Sequence, residues 1–285
     1  MSVLRQSCHR KIAMPAWFSY TFYTVAVLLV STALFFFTLT RGALLMRGAM
    51  GRLSHDAAHV YPIYSNMRLI RLVDWQPIIS AILLFQYSHL VSIIAHGLCK
   101  DDLQGKDVLI TSCAFGNVIP RVVEASVKSG ARKVLIADII PNELDHARTK
   151  LGNYADHIVY LQDNAVAMRQ ADASVQANVM FFLLHELPHH LKIDALSEAM
   201  RVLAPGGKLY LGEFHRPSPW LLRALSWTYF KVFEPYGLAL WDSHDPVQQL
   251  QAMPGVTCER HTAFFGNFQV IVATKVVQEV RATGA

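Results

Sequence analysis

The chain has 285 residues, enough for one sizeable domain and an appendage, and 53% of them are apolar against only 16% charged. Its formal net charge of +5 does not come from a basic run interleaved with aromatics, which argues against a nucleic-acid partner. Cys8, Cys99, Cys113 and Cys258 lie far apart with no C-x-x-C pair, so neither a disulfide scaffold nor a zinc ribbon is expected, and the usage fits a reducing compartment.

Most of the apolar excess precedes residue 100. Ala16 to Thr40 contains no charged residue, and as a helix rising about 1.5 Å per residue it exceeds a hydrocarbon core of roughly 30 Å. Trp17, Tyr20 and Tyr23 stand towards one end, as in an interfacial aromatic belt. Arg5, Arg10 and Lys11 precede the run as they would in a signal peptide, but the run is too long for one, so an uncleaved transmembrane helix in a lipid bilayer is expected. A second apolar stretch, Trp75 to Leu98, is diluted by Pro77, Gln86, His89, Ser92 and His96. A second crossing would put Arg41, Arg47, Arg52, Arg68 and Arg71 outside, against the positive-inside rule. The stretch therefore reads as a helix that packs on the domain or lies in the interface. The expected organisation is a tail and anchor over 1–41, a membrane-proximal helical segment over 42–104, and an α/β domain over 105–280. That domain would lie on the cytosolic side of a bacterial inner membrane or its equivalent.

From residue 106 the hydrophobic period switches repeatedly. Strands are predicted over 106–111, 133–139, 157–161, 177–184, 208–214 and 269–274, and helices over 118–129, 141–151 and 191–203. Pro141 suits the start of one helix, and Pro205 with Gly206 and Gly207 the end of another. Alternating strands and helices predict an α/β fold with a largely parallel, doubly wound sheet, whose ligands bind beyond the carboxyl ends of the strands.

Chemistry-bearing residues cluster at those ends. TSCAFGNVIPR follows the first strand, where a nucleotide-type ligand needs small residues. Ser112, Ala114 and Gly116 take alternate positions with only one glycine, which fails as a dinucleotide fingerprint. Asp138 ends the second strand, placed either to accept hydrogen bonds from a ribose or to cap the next helix. Asp163 follows the third strand, as an adenine contact or a turn carboxylate. The fourth strand runs into His185 and Glu186, candidate catalytic residues or a pair bonded to loop backbone. His185, Glu186 and His189 spell H-E-x-x-H, but a strand leads into them and Pro188 interrupts them, so a zinc-protease helix is excluded. His215, after the fifth strand, is a third candidate.

The order of strand, small-residue loop, acid after strand two, Gln162-Asp163 after strand three, and RVLAPGGKL before strand five resembles the class I S-adenosylmethionine-dependent methyltransferases over roughly residues 100–275. CAFGNVIPRVVE, ADIIPNEL, FFLLHELP, EFHRP, FEPYGLALW and TAFFGNFQ are similar to motifs of the rhodoquinone-biosynthesis enzymes. Ordinary methyltransferases carry an acid where Ile110 stands and glycines at 112 and 114. The rhodoquinone enzymes carry a tyrosine and an aspartate where this chain has Phe115 and Asn117.

The resemblance implies a Rossmann-like fold, S-adenosylmethionine bound by Ser112, Ala114, Phe115, Gly116, Asn117, Asp138 and Asp163, and a ubiquinone-like substrate. It implies further that the cofactor donates an amino group in place of a ring methoxy group, with Mn2+ as the metal. His185, Glu186 and His215 would lie near that metal or the quinone, with His185 and Glu186 as the candidate metal ligands. A conventional methyltransferase acting on a quinone or other lipophilic substrate is the alternative, and a membrane-anchored interaction module without activity is a third.

Overall fold

The computed structural model describes residues 20–31, 64 and 66–277. Of the expected anchor, Tyr20–Ser31 forms an apolar helix, α1, with its side chains exposed; 16–19 and 32–40 lie outside the described residues. Among the described residues no single helix is long and apolar enough to cross a membrane.

The stretch from Trp75 to Leu98 is not one helix. After α2 (Met67–Val73) the chain forms α3 (Gln76–Ile82) and α4 (Tyr87–Lys100), bent by 98°. Pro77 sits in the first turn of α3, where its missing N–H costs nothing. At the other end the amides of Leu84 and Phe85 donate back to the carbonyls of Ala81 and Ser80, with both residues in the left-handed region. That closure satisfies the last carbonyls and turns the chain. α4 then buries Tyr87, Leu90, Val91, Ile94 and Leu98, one face at helical spacing, each worth about 1.5–3 kcal/mol when fully buried. Gly97 lets this face approach the sheet: a Cβ there would stand 2.4 Å from the Tyr210 ring. The stretch packs on the domain, as the sequence suggested, but through two helices.

The sheet has seven strands among the described residues, in the order β3-β2-β1-β4-β5-β7-β6. β1 (Asp107–Thr111), β2 (Lys133–Asp138), β3 (Ile158–Gln162), β4 (Val175–Phe181) and β5 (Leu203–Phe214) are parallel. β6 (Val256–Ala263) and β7 (Phe268–Lys275) form an antiparallel edge. The crossover helices are α5 (Val118–Lys128), α6 (Pro141–Lys150) and α7 (His189–Arg201), with α8 (Trp220–Phe233) and α9 (Pro246–Gln251) inserted before β6. Val108 to Thr111 are all buried because helices cover both faces of the sheet. β5 begins earlier than the sequence suggested, since Leu203 pairs with Val175 before a register shift, and Gly206 turns within it at φ 77°. The strand order reverses between β1 and β4, which opens a crevice at their carboxyl ends.

Candidate functional site

The crevice is a cleft of about 750 Å³, its open mouth included. Its walls come from the ends of β1 (Thr111, Ser112, Cys113), β2 (Asp138 to Ile140), β3 (Asp163 to Ala165) and β4 (Leu183, Glu186, Leu187). Ser112 holds φ 76° without being glycine, and its amide donates to Ala137 O at 2.8 Å. This conformation is costly for a residue with a side chain, and Asp138 stabilises the turn. One Asp138 oxygen accepts from Cys113 N at 2.6 Å and Ser112 Oγ at 3.4 Å, and the other from Ile140 N at 2.7 Å. Asp138 thus ties the first loop to the second while lining the cleft. Asp163 also lines it, and accepts from Asn164 N and Arg169 N, both at 2.9 Å.

Ala114, Phe115, Gly116 and Asn117 do not line the cleft; they form the outer part of the loop, held by the segment ahead of the sheet. Asp74 accepts from Gly116 N at 2.8 Å and from Lys150 Nζ at 2.7 Å. Tyr87 Oη donates to Phe115 O at 2.9 Å and accepts from Val118 N at 2.7 Å. Gly116, at φ 84°, leaves no room for a Cβ, which would meet Tyr87 Oη at 2.5 Å. Tyr64 stacks on Phe115 with centroids 5.9 Å apart and donates to Glu186 Oε1 at 2.8 Å. Asn117 is exposed and its side chain does not cap α5. Tyr87→Phe should cost about 1–3 kcal/mol, because it orphans the buried Val118 amide; equilibrium urea unfolding measures this.

The cleft is acidic. Asp138, Glu143 and Glu186 line it together, and Oε1 of Glu143 is buried with no hydrogen-bond partner in the structure. Burial, reinforced by the charge of Asp138, pushes the Glu143 carboxyl up to about 8. Burial likewise lifts Glu186 to about 7, with Glu234 adding repulsion and His185 opposing it. Burial raises Asp138 above the usual carboxylate range, against the pull of its hydrogen bonds. Carboxyls raised in this way are at ease only when protonated or when a cation lies beside them.

His185 and His215 stand apart from the cleft. His185 closes a turn after β4, and its Nδ1 lies 3.1 Å from Oε1 of Glu213, a fully buried residue of β5. Burial disfavours the charged ring, but the charge and hydrogen bond of Glu213, with Glu234 and Glu186 nearby, outweigh it and lift His185 to about 9. The rings of Phe182 and Phe214 meet His185 edge-on. His215 turns to the antiparallel edge, with Nδ1 2.7 Å from Gly266 O and Nε2 3.2 Å from Nη1 of Arg260. Pro188 precedes α7, which begins at His189, so His185 and His189 share no helix.

The metal reading does not fit this geometry. Among the described residues no group of three His, Cys, Asp or Glu could hold an ion. His185 is turned to Glu213 and Glu186 to Tyr64, so the two do not share a coordination point with a third donor. The expectation of Mn2+ at His185 and Glu186 is corrected accordingly.

Sequence reasoning missed Glu143, Cys113 and Tyr64. Glu143 lies inside ADIIPNEL, but a first-turn acid in an amphipathic helix looks like a solvated charge. Cys113 takes part through its amide, which composition cannot reveal. Tyr64 is brought to the cleft from far along the chain.

The sequence profile of the ubiE/COQ5 methyltransferase family matches residues 79–253. A demethylmenaquinone methyltransferase from Lactococcus lactis is 31% identical over 136 residues, covering 47% of this chain and 52% of its own. A ubiquinone/menaquinone biosynthesis C-methyltransferase from Hahella chejuensis is 38% identical over 116 residues, covering 40% and 45%. The chain spans about half the length of the curated relatives it matches. Among solved structures, an O-methyltransferase family protein from Burkholderia thailandensis superposes with a TM-score of 0.60 at 12% identity, over 85% of this chain and 72% of its own. A SAM-dependent methyltransferase from Aquifex aeolicus superposes with a TM-score of 0.51 at 17% identity, over 74% and 99%. The fold is the class I methyltransferase fold.

Proposed function

The chain belongs to the ubiE/COQ5 methyltransferase family, and from that premise we propose that it is an S-adenosylmethionine-dependent methyltransferase acting on a quinone or its reduced precursor at a membrane. The observation that carries this reading is the acidic cleft at the switch point, with its unpaired Glu143 oxygen. S-adenosylmethionine carries a sulfonium and an ammonium, and such a cation relieves the mutual repulsion of Asp138, Glu143 and Glu186. When bound, it supplies an electrophilic methyl group. Asp138 would hold the ribose, since a carboxylate oxygen accepts more than one hydrogen bond, and the Asp163 to Met168 wall would enclose the base. Glu186, raised to about 7 and oriented by Tyr64, is suited to take a proton from the acceptor at neutral pH. The uncharged run from Ala16 to Thr40 supports a bilayer location, with the domain on the cytosolic side.

A second reading, replacement of a ring methoxy group by an amino group, is favoured by one feature of the loop. Ser112 takes the left-handed position where ordinary methyltransferases place glycine, so its side chain enters the cleft wall. Expression in a ubiquinone-making bacterium, followed by mass spectrometry of the extracted quinones, separates the two. A product gaining one methyl supports the first reading, and exchange of methoxy for amino supports the second. Unaltered quinones from folded protein that binds S-adenosylmethionine in calorimetry, both in the wild-type host and in one blocked in its own quinone C-methylation, would overturn both, and failure to bind would favour an interaction module.

A pH effect follows from Glu143. Its folded pKa, about 8, lies above the ordinary value of 4.5, so its contribution to stability is fully present below 4.5 and lost as pH rises through about 8. Between about pH 6 and pH 8 the free protein should lose about 2 kcal/mol from this group, and Glu143→Gln should flatten the profile by that amount in urea titrations. Cofactor affinity should rise over the same interval, because a cation prefers the ionised carboxylate.

A further inference from the structure

The chemistry of the cleft leaves the outer face of α8 without a role. Trp220, Leu221, Ala224 and Trp227 follow one another at helical spacing on its exposed side, and the two tryptophans are 73% and 50% exposed. The opposite face, with Ser226, Tyr229 and Phe230, is buried against the sheet's aromatic cluster. Thr228 satisfies its own hydroxyl on Ala224 O, which makes the outer face more apolar. Monomeric soluble proteins rarely leave neighbouring tryptophans in water without a partner.

A second element extends this patch. Ser218, just ahead of α8, donates its amide to Phe265 O at 2.9 Å, which brings the β6–β7 turn alongside the helix start. Phe264 and Phe265 both take left-handed φ, at 48° and 54°, and Phe265 is 69% exposed. An aromatic residue in that conformation, held out in solvent, is disfavoured twice over. At the same edge of the sheet, Phe85 repeats the pattern at the α3–α4 bend, with φ 61° and 78% exposure. Both turns lie at the carboxyl ends of the parallel strands, where the cleft opens: β7 begins opposite Phe214, and α4 starts with Tyr87 clamped to Phe115.

The rim of the α8 face is basic. Arg216, Arg223 and Lys231 flank the tryptophans, and Arg216 pairs with Asp242 at 2.8 Å. Arg223 and Lys231 make no ion pair among the described residues. Tryptophan bordered by basic side chains matches the boundary between headgroups and acyl chains, where aromatic rings sit at the interface and cations meet anionic phosphates.

We propose that the outer face of α8, with the Phe265 turn and Phe85 as flanking prongs, is a docking surface of the folded domain for an anionic lipid bilayer, separate from any N-terminal anchor. Docked in this way, the carboxyl edge of the sheet faces the membrane, so a lipophilic acceptor reaches the cleft without leaving the bilayer. The surface stands on its own geometry and not on the identity of the cofactor.

The test uses the full chain in two sets of nanodiscs, phosphatidylcholine alone and phosphatidylcholine with phosphatidylglycerol. The N-terminal run is accommodated equally in both. Hydroxyl-radical footprinting with mass spectrometry reads each tryptophan separately. Trp220 and Trp227 should be protected several-fold more in the anionic discs, and Arg223→Glu with Lys231→Glu should abolish that difference while calorimetric S-adenosylmethionine binding is unchanged. Equal oxidation in the two lipids would overturn the proposal. So would protection that follows protein concentration instead of lipid charge, the signature of a second copy covering the face. Failure of the wild type to bind S-adenosylmethionine would count against the proposed function and leave the footprint to decide the docking surface.

Discussion

Asp138→Ala is expected to weaken S-adenosylmethionine binding by about 100-fold or more and to destabilise the free protein by about 2–4 kcal/mol. Asp138 is 7% exposed and accepts from two backbone amides, of Cys113 and Ile140. Alanine would leave both donors without a partner, and each buried unpaired group costs about 1–3 kcal/mol. Ser112 would also lose the carboxylate that stabilises its left-handed turn. The loss of affinity has two sources, a missing ribose acceptor and a loop no longer shaped for the ligand. Asp138→Asn separates them, because an amide oxygen can keep part of the loop bonding without the charge. Asp172→Ala is the control: Asp172 pairs with Arg201 at 2.5 Å but its side chain is 81% exposed, so roughly 0–1 kcal/mol is expected. Calorimetry with urea unfolding on the three variants reads both quantities, and equal losses at 138 and 172 would overturn the assignment.

The parts legible in the sequence were those governed by period and punctuation. β1, β2 and α5 were found within a residue or two because buried parallel strands are continuous apolar runs and α5 repeats its apolar residues at helical spacing. β6 was missed because VTCERHTA is an edge strand with alternate residues in water, and its charges resemble a loop. The α3–α4 bend was missed because left-handed Leu84 and Phe85 carry none of the usual turn residues.

For the site, Asp138 and Glu186 were legible as acids at strand ends. The groups that hold Glu186 and the outer loop were not, since Tyr64, Asp74 and Tyr87 reach them by tertiary packing alone. The loop that looked degraded for want of glycine is stabilised from two directions, by Asp138 beneath it and by the segment from Tyr64 to Tyr87 around it. What a glycine supplies through backbone freedom, this chain achieves through contacts.

Glu213→Ala should destabilise the α/β domain by about 3–5 kcal/mol. Glu213 is fully buried and serves three groups: it accepts from His185 N at 3.2 Å and Phe214 N at 2.8 Å, and faces the His185 ring at 3.1 Å. Removing it strands two amides and leaves the imidazole without its partner between Phe182 and Phe214. The wild-type pair also fixes a pH dependence. His185 has its pKa raised from 6.5 to about 9, so its stabilisation is fully present below 6.5 and lost as pH rises through about 9. Glu213→Gln keeps the shape and removes the largest charge that opposes burial, so the ring pKa should fall from about 9. Its stability should then lose this decline between about pH 7 and pH 9. NMR titration of the His185 ring and urea unfolding over that range test both statements. A ring pKa unchanged in Glu213→Gln would show that Glu213 does not hold the proton on His185.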